Sequence, residues 1–363
     1  MRVIFSGGGT GGHIYPALAV LERLKERQLL DEVLYIGTEK GLESRIIRQK
    51  QIPFKAIELQ GFKRSLSLDN LKTIRLFIQS TRRAKRILRD FKPDVVVGTG
   101  GYVSSAVLFA ATRLHIPTVI NEQNSVAGIT NRFLGRFVDR ISIAFPEVAS
   151  QFPEQKVVLT GNPRAQQVAG MQSNQRLTDF NLQAKVPTLL IFGGSRGAER
   201  INAAFLAALP ELNQKSYQVL FVSGRVHYQK IQTALQGQTV AANVAVVPYI
   251  NDMPTVLPDV AVILGRAGAT SLAEITALGI PSILVPSPYV TNDHQTKNAQ
   301  SLVSHHAAEM ITEAQLTGTT LLKVTDQLML DPARRQAMGE QARQLGVPDA
   351  ADRLIKVMQT ISH

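Results

Sequence analysis

The residues best placed for chemistry follow a glycine-rich turn near the N-terminus, in SGGGTGGH at 6–13. Gly7, Gly9 and Gly12 satisfy the spacing G-x-G-x-x-G, which by itself only weakly indicates a phosphate-binding loop. Glycine lets backbone N–H groups approach an oxygen-rich ligand, because it has no Cβ and tolerates positive φ. His13 follows in the first helical turn, where a neutral imidazole can take a proton from a hydroxyl. A tight turn with a capping histidine is the alternative.

Two further glycine-rich turns repeat this arrangement, GTGGYVSS at 98–105 and FGGSRGAERIN at 192–202. Three turns, two in the first half of the chain and one in the second, predict phosphate-binding loops on both walls of a cleft. Close packing of strand against helix is the alternative for each turn. A dinucleotide site would also need an acidic residue about 20 positions after its loop. Glu39 comes 27 residues after Gly12, which is late for that role.

The stretch GRAGATSLAEITALGIPSILVPSP at 265–288 is the most distinctive of the chain. It predicts a strand end at Gly265 and then a helix whose N-terminal N–H groups attract phosphate. Glu274, one to two turns into that helix, is placed to accept hydrogen bonds from vicinal ribose hydroxyls. A surface charge is the alternative, but the nearby Arg266 and a following polar run favour sugar recognition. That run, TNDHQTKNA from 291, contains Asp293, His294, Gln295 and Asn298.

Short β-branched runs between helical patterns would position these turns. They are RVIF at 2, VLYIG at 33, DVVVG at 94, PTVIN at 117, RISIA at 140, TLLIFG at 188, YQVLFVS at 217, NVAVVPY at 243, VAVILG at 260 and PSILVP at 281. Such apolar runs predict parallel strands buried on both faces, with helices as crossovers. The predicted fold class is α/β, with two doubly wound domains and a boundary near GNPRA at 161. Ligands in such sheets lie beyond the carboxyl ends of the strands.

Composition excludes several classes of protein. The 363 residues, 44 % hydrophobic and 19 % charged, are typical of a folded protein of two domains. Without cysteine there is neither disulfide nor thiolate chemistry. No apolar run approaches the roughly 20 residues that span a bilayer, and no signal-peptide pattern precedes the first strand. We therefore expect a cytoplasmic location.

The charge is basic and unevenly spread. Of the net +12, residues 1–162 carry +10, so an anionic partner is expected to meet the first half.

Within a helix predicted over 69–91, the core-facing stripe is predicted as Ile74, Phe77, Thr81, Ala84, Leu88 and Phe91. Another face carries Lys72, Arg75, Arg82 and Arg86, with Leu71 and Ile78 at its edge and Phe62, Lys63 and Arg64 shortly before. Cations beside exposed aliphatic residues predict contact with an anionic membrane, worth about 1 kcal/mol per cation, whereas a solvated basic face is the alternative.

Seven motifs in order resemble those of the MurG family of peptidoglycan glycosyltransferases: GGTGGH, GTGGYVS, EQN…GITN, GNPR, FGGSRGA, RAGATSLAEI and HQ…NA. The resemblance covers essentially the whole chain. It implies the GT-B fold, in which two Rossmann-like domains face a cleft. The acceptor and membrane-facing domain would span 1–162, with a C-terminal helix near 343–363 returning to it. The UDP-GlcNAc-binding domain would span 163–342.

The resemblance also implies the reaction and its participants. The enzyme would be an inverting hexosyltransferase that moves GlcNAc from UDP-GlcNAc to the MurNAc 4-hydroxyl of lipid I, undecaprenyl-pyrophosphoryl-MurNAc-pentapeptide. The product, lipid II, serves peptidoglycan synthesis and hence cell shape and division. The implied location is peripheral, at the anionic cytoplasmic face of the cell membrane. Other cell-wall synthesis proteins are implied partners, and nucleic acid is not.

Carried over motif by motif, the resemblance implies a set of donor-binding residues. Ile250 would contact the uracil side through its backbone, the run 269–274 would reach the phosphates and ribose, and Gln295 would read the GlcNAc hydroxyls. The full set is Thr10, Gly11, Gly12, Asn124, Arg164, Ser195, Ile250, Ala269, Thr270, Ser271, Leu272, Ala273, Glu274 and Gln295.

Inverting transfer needs a base for the acceptor hydroxyl and stabilisation of the departing UDP. We favour His13 as the base, with Glu122 as the rival and Tyr102 orienting the acceptor. Ser195 and the helix near Ala269 would meet the diphosphate charge, and Arg164 would close the domains over the donor. The sequence has no D-x-D motif, so we expect no protein-held metal and no tightly bound cofactor. Mg²⁺ brought from solution with UDP is left open.

Other functions fit parts of the pattern. A diacylglycerol glucosyltransferase or a UDP-GlcNAc 2-epimerase would share the donor half, but the first-half run GGTGGHIYP…GTGGYVS…EQN disfavours both. A basic nucleic-acid-binding protein fits the pI of about 10.0, yet the chain has no Trp and only 6 % aromatic residues for base stacking. A nicotinamide-dependent dehydrogenase would confine nucleotide binding to the first domain, against the motif around Glu274.

Overall fold

The computed structural model describes residues 1–61, 69–194 and 196–362, which divide into two compact units. Unit 1 contains residues 1–166 and 349–362, and unit 2 contains residues 167–348. The chain first passes from unit 1 to unit 2 after Gln166, four residues beyond the boundary at 162 that the sequence predicts.

Each unit is built on one parallel sheet. In the described residues of unit 1 the sheet has the order β3-β2-β1-β4-β5-β6-β7, and in those of unit 2 the order is β10-β9-β8-β11-β12-β13. All neighbouring strands pair in parallel. The strands are β1 (Arg2–Gly7), β2 (Glu32–Gly37), β3 (Phe54–Ala56), β4 (Val95–Gly100), β5 (Thr118–Glu122), β6 (Arg140–Ile143), β7 (Val157–Leu159), β8 (Thr188–Phe192), β9 (Gln218–Val222), β10 (Val244–Val247), β11 (Val262–Gly265), β12 (Ser282–Leu284) and β13 (Glu309–Met310).

Helices connect the strands and cover the sheets. The α-helices are α1 (Gly11–Glu26), α2 (Leu42–Gln49), α3 (Asp69–Phe91), α4 (Val103–Thr112), α5 (Ile129–Leu134), α6 (Arg164–Val168), α7 (Glu199–Leu212), α8 (Tyr228–Leu235), α9 (Met253–Val256), α10 (Ala269–Leu278), α11 (His294–Val303), α12 (Gly318–Met329), α13 (Pro332–Leu345) and α14 (Ala350–Ile361). Short 3₁₀ helices span Pro146–Gln151, Glu154–Lys156, Arg176–Phe180, Leu257–Asp259 and Thr291–Asp293.

The ten strands expected from the sequence are all present, and the α/β prediction is confirmed. Except in the edge strand β10, where Val246 and Val247 are half-buried, their Val, Leu and Ile side chains are buried because helices cover the sheets, which gives runs without polar alternation. The sequence missed β3, β7 and β13, which hold two or three residues each and lie at sheet edges. Strands this short carry almost no periodic signal.

The C-terminal helix expected near 343–363 is present as α14, Ala350–Ile361, and is shorter than expected. Gly346 and Pro348 follow α13, which packs on α10 within unit 2. Only α14 returns to unit 1, where Leu354, Ile355 and Met358 are fully buried in the core beside α1.

The helix α3 has the predicted bounds and most of its predicted core stripe, with Phe77 and Phe91 half-buried against the core, but its N-terminal half differs from the prediction. Ala84 and Leu88 are buried as expected, whereas Ile74 is 47 % exposed. Thr73 and Ser80 are buried in its place, because Thr73 accepts a hydrogen bond from Gln60 and Ser80 donates to the carbonyl of Glu58. These hydrogen bonds to the preceding connection hold Thr73 and Ser80 in the buried face of α3. The spacing of apolar residues along the helix does not predict them.

Among the described helices, none combines the length and apolar character needed to cross a membrane.

Candidate active site

In the sheet of unit 1 the strand order reverses between β1 and β4: β2 and β3 lie on one side of β1, and β4 to β7 lie on the other. Doubly wound sheets open a crevice at this position. The turn after β1 and the turn after β4 meet at this point. Gly8 N–H donates to the carbonyl of Gly100 at 3.2 Å, and Thr99 Oγ1 donates to the carbonyl of His13 at 2.6 Å. The two glycine-rich turns of unit 1 therefore form one structural feature around His13.

The imidazole of His13 packs directly on the backbone of the second turn. A Cβ at Gly100 would lie 2.8 Å from Cδ2 and 3.1 Å from Nε2 of His13, and a Cβ at Gly101 would overlap the carbonyl of Gly8. Both glycines have positive φ, at +103° and +80°. Nδ1 of His13 is 2.9 Å from the carbonyl oxygen of Gly8 and 3.4 Å from Thr10 Oγ1. Close packing is thus one function of the glycines in GTGGY.

The remaining unit 1 residues implied by the resemblance lie at or near the carboxyl ends of these strands. Thr10 is the N-cap of α1, with Gly11 and Gly12 as the first residues of that helix. Tyr102 is at the N-cap position of α4. The guanidinium of Arg164 is 5.4 Å from the ring centroid of Tyr15, in cation–π geometry.

Glu122, the rival base, is buried and engaged on both carboxylate oxygens. Oε1 accepts from the N–H of Asn124 at 3.0 Å and from its side-chain amide at 3.3 Å. Oε2 accepts from Gly128 N–H and from Asn131 Nδ2, both at 2.9 Å. With four donors bound, the carboxylate organises the loop that carries Asn124.

Glu43, a residue that was not predicted to be functional, lies in α2 and is fully buried against the first glycine-rich turn. It accepts from Gly9 N–H at 3.0 Å and from Thr38 N–H and Oγ1 at 3.0 and 2.6 Å. The spacing of polar and apolar residues in α2 does not predict the burial of Glu43, since an isolated Glu in an amphipathic helix usually faces solvent. Burial and the charge of Glu43 raise the pKa of Tyr35, whose hydroxyl donates to the carbonyl of Gly7 at 2.8 Å.

In unit 2 the corresponding reversal lies between β8 and β11. The helix α10 begins at Ala269, as the sequence predicted, with Gly268 as its N-cap. Thr270 Oγ1 is buried and has no hydrogen-bond partner among the described residues. Glu274 is buried one turn further along, in the same helix as Ser271, Leu272 and Ala273. A polar ligand at this helix end would supply the missing partner of Thr270.

A cavity of about 870 Å³ lies at this end of unit 2. Its lining includes Gly193, Gly197, Arg266, Ser287 and Gln295, so the turn after β8 and the predicted sugar-binding run reach one space. Ser287 N–H donates to Gln295 Oε1 at 2.9 Å, which fixes the Gln295 amide.

Arg266 is paired with Glu313, a contact that was not predicted. Its Nη1 lies 3.0 Å from Glu313 in a largely buried ion pair, and it also donates to the carbonyls of Val285 and Pro286 at 3.1 and 3.2 Å. Arg266 thereby ties the turn after β11 to the turn after β12. Glu313 is 47 residues away in the chain, and no local pattern of residues predicts a contact over that separation.

Ile250 is buried after β10, beside an exposed stack in which the guanidinium of Arg225 lies 4.5 Å from the ring centroid of Tyr249. Arg225 Nη2 also donates to Asn251 Oδ1 at 2.8 Å. Ser195 lies outside the described residues.

The predicted membrane face is only partly within the described residues. Lys72, Arg75, Ile78, Arg82 and Arg86 are all exposed on α3. Phe62, Lys63 and Arg64 lie outside the described residues, as does the side chain of Leu71.

An aromatic cluster beside α3 was not predicted. The ring of Phe77 on α3 lies 6.3 Å from that of Phe133, Phe109 lies 5.4 Å from Phe137, and Phe133 lies 5.3 Å from Phe137. Phe133 and Phe137 are 41 % and 43 % exposed. We define the exposed apolar face as Ile74, Ile78, Phe133 and Phe137.

In the ranges that the structure describes, no three His, Asp or Glu side chains converge in a way that could hold a metal ion.

Two family models match the chain. Residues 3–143 match the glycosyltransferase family 28 N-terminal domain, and residues 188–354 match the glycosyltransferase family 28 C-terminal domain. Together they span most of both units.

Relatives with assigned names match over the full length. A protein of Latilactobacillus sakei subsp. sakei strain 23K is 62 % identical over 99 % of this chain and 100 % of its own length, and one of Lactiplantibacillus plantarum is 62 % identical over 99 % of both. Both are named UDP-N-acetylglucosamine–N-acetylmuramyl-(pentapeptide) pyrophosphoryl-undecaprenol N-acetylglucosamine transferase.

Solved structures agree on the fold. The crystal structure of Acinetobacter baumannii MurG superposes with a TM-score of 0.78 at 30 % identity, covering 99 % of each chain. A UDP-GlcNAc 2-epimerase from Neisseria meningitidis superposes with a TM-score of 0.68, covering 99 % of this chain and 100 % of its own, but at 18 % identity it shows the fold alone.

Proposed function

The chain belongs to glycosyltransferase family 28 and has the GT-B fold, and we propose on that basis that it makes lipid II. It is a UDP-GlcNAc-dependent glycosyltransferase of the MurG type, which transfers GlcNAc from UDP-GlcNAc to lipid I. The observation that carries this function is the 62 % identity over the whole length of a relative named for that reaction. The alternative of a UDP-GlcNAc 2-epimerase is supported by the shared fold alone.

We propose His13 as the general base of the reaction. The MurNAc 4-hydroxyl oxygen attacks C1 of GlcNAc while its proton moves to Nε2 of His13. The bond between C1 and the diphosphate oxygen breaks, and its electron pair leaves with UDP. A positioned base typically contributes about 10²–10⁴-fold in rate. Two observations support this assignment. His13 lies where the strand order of the unit 1 sheet reverses, and the carboxylate of Glu122 already accepts four hydrogen bonds.

The donor residues of unit 2 are proposed from the resemblance together with the geometry of that unit. The N-terminus of α10 would stabilise the diphosphate, because its first N–H groups have no intrahelical acceptors. Thr270 Oγ1 would gain a partner from the ligand, Glu274 would accept from the ribose, and Gln295 would bind GlcNAc. Thr10, Asn124 and Arg164 of unit 1 would complete the donor set.

We further propose that the enzyme works as a peripheral protein on the cytoplasmic face of the membrane. Lipid I carries a polyprenyl tail that stays in the bilayer, so its transferase must approach that surface. The exposed apolar face lies among the cations of α3 and beside Arg132 and Arg136, a combination that suits anionic lipid. Further cell-wall synthesis proteins are expected as partners.

No tightly bound cofactor is part of the proposal, since the sequence lacks a D-x-D motif. Addition of EDTA is expected to leave turnover of the purified enzyme unchanged. Loss of turnover that Mg²⁺ restores would instead mean that the ion accompanies UDP.

The experiment that tests the function measures UDP release from UDP-GlcNAc with a short-chain lipid I analogue. The wild type should release UDP only when this acceptor is present. His13→Ala should lower kcat by about 10²–10⁴-fold while still binding UDP, and Glu274→Ala should weaken UDP binding. Release with diacylglycerol instead of lipid I, or formation of UDP-ManNAc without an acceptor, would contradict the proposed function.

A further inference from the structure

The peptide that joins Gly8 to Gly9 is held at both of its polar ends. Its N–H, on Gly9, donates to Glu43 Oε2 at 3.0 Å, and its carbonyl oxygen, on Gly8, lies 2.9 Å from Nδ1 of His13. The N–H and C=O belong to one planar amide group. A single peptide unit therefore links a buried carboxylate to the imidazole proposed as the base.

The contact to Gly8 determines which ring nitrogen of His13 carries the hydrogen. A carbonyl oxygen can only accept, so a hydrogen bond to it requires that Nδ1 be protonated. In the neutral ring the lone pair is then on Nε2, the nitrogen that would receive the proton of the acceptor hydroxyl. Thr10 Oγ1, at 3.4 Å from Nδ1, is compatible with this tautomer because a hydroxyl can accept.

The surroundings of Glu43 are built for a carboxylate. Its three partners, Gly9 N–H, Thr38 N–H and Thr38 Oγ1, all donate, which matches the acceptor-only character of the group. A Cβ at Gly8, Gly37 or Gly41 would overlap its side chain, so three glycines make room for it. Complete burial of a charged group is unfavourable unless its hydrogen bonds are satisfied, as they are here.

Glu43 also affects how strongly Gly8 accepts. A negative charge bonded to the N–H of an amide increases the partial negative charge on the oxygen of the same amide, because hydrogen bonds in a chain polarise one another. The Gly8 oxygen then holds the Nδ1 hydrogen more firmly, and more so once the ring becomes an imidazolium. This is the part that a carboxylate bonded directly to histidine plays in other active sites, here exerted through a peptide.

We propose that Glu43 is a positioning residue for the transfer reaction, which acts through the Gly8–Gly9 peptide to fix the Nδ1–H tautomer and the orientation of His13. The inference rests on the proposed role of His13 as the base. Glu43 itself touches neither substrate.

The tautomer can be measured directly. In the full chain labelled with ¹⁵N-histidine, the seven histidines give distinct imidazole signals, and the spectrum of His13→Ala identifies those of His13. At a pH where the ring is neutral, wild-type His13 should have a protonated Nδ1 and an unprotonated Nε2. An Nε2–H tautomer in the wild type would overturn the proposal without any variant.

Glu43→Gln tests the role of the carboxylate with nearly unchanged shape. If its NH₂ faces Gly9, that N–H loses its acceptor; if it faces Thr38, the Thr38 N–H loses its acceptor while Thr38 Oγ1 can accept instead. In both placements the negative charge next to the Gly8–Gly9 peptide is removed. We expect a mixture of His13 tautomers and a kcat lower by about 10- to 100-fold, with the KM for UDP-GlcNAc within about twofold of the wild type.

The matched control is Tyr35→Phe, which removes the 2.8 Å hydrogen bond to the Gly7 carbonyl in the same turn and leaves the Gly8–Gly9 peptide intact. It should keep the wild-type tautomer and a kcat within about threefold. Equal losses of kcat in both variants, with the tautomer unchanged in both, would show that Glu43 only stabilises the turn. If His13→Ala kept full kcat, the assignment of the base would fail, whereas an unchanged His13 tautomer in Glu43→Gln would separately contradict the link to Glu43.

Discussion

At the scale of one residue, the absence of a side chain at Gly100 leaves room for the His13 ring. Ala at this position would carry φ of +103° and a methyl group 3.1 Å from Nε2. We expect Gly100→Ala to lower kcat more than about 10-fold, because the methyl group displaces the base, and to lower the free energy of unfolding by about 1–2 kcal/mol.

The matched control at this scale is Gly237→Ala. Gly237 has φ of +79°, and among the described residues other than its chain neighbours no atom lies within 4 Å of an added Cβ, so Ala there adds backbone strain without a steric clash. Steady-state kinetics and urea unfolding should show a similar loss of stability with unchanged kcat. A comparable loss of kcat in both variants would contradict steric control of His13.

At the scale of an element, the helix α3 exposes aliphatic and basic side chains on one face. The double variant Ile74→Ser/Ile78→Ser removes two side chains that are each 47 % exposed, so folding should be unaffected. Binding to vesicles of anionic phospholipid, measured by cosedimentation, should weaken by about 10-fold, since burying apolar area is worth about 25 cal/mol per Å².

Leu330→Ser, at a residue of unit 2 that is 59 % exposed, is the control and should bind vesicles as the wild type does. Wild-type binding should also fall with added salt, because the cations of α3 contribute through screened attraction. Undiminished binding of the double variant would place the membrane contact elsewhere.

At the scale of the whole chain, Asp352 joins the last helix to the first. It accepts from Arg23 at 2.9 and 2.8 Å, from Arg27 at 3.0 Å and from Gln166, while its own N–H donates to Gln166 Oε1 at 2.9 Å. The hydrogen bonds from Arg23, which outweigh partial burial, lower the pKa of Asp352 to about 2. The residue therefore ties the two chain segments of unit 1 together.

The lowered pKa sets a pH range for this contribution. Relative to about 3.9 in an unfolded chain, the stabilisation is complete above about pH 4 and is lost as the pH falls through about 2. Asp352→Asn should lower the midpoint of thermal unfolding by about 2–4 °C at pH 7, with the difference vanishing near pH 2. Asp349→Asn, in an exposed pair with Arg353, should change it by less than about 1 °C. A difference that persists at pH 2 would contradict the ionic origin.

Local patterns in the sequence determined the strands, the strand-to-helix turns and the family of this protein. A buried parallel strand must be apolar throughout, and a turn that brings a backbone close to its neighbour must contain glycine, so both are visible over five to ten residues. The N-terminal half of the buried face of α3 and the edge strands were not determined in this way, because partners outside each segment decide them.

Only the tertiary structure decided what surrounds the reactive groups. His13 was recognisable from its position after GGTGG, but its contact with Gly100 joins residues 87 positions apart, and Glu43 reaches Gly9 across 34 positions. Glu313 reaches Arg266 across 47. Single side chains at such separations leave no periodic trace in one sequence, since each pair is selected by packing after the strands have been placed. The sequence thus determined which loops carry the chemistry, and the fold determined which buried charges orient them.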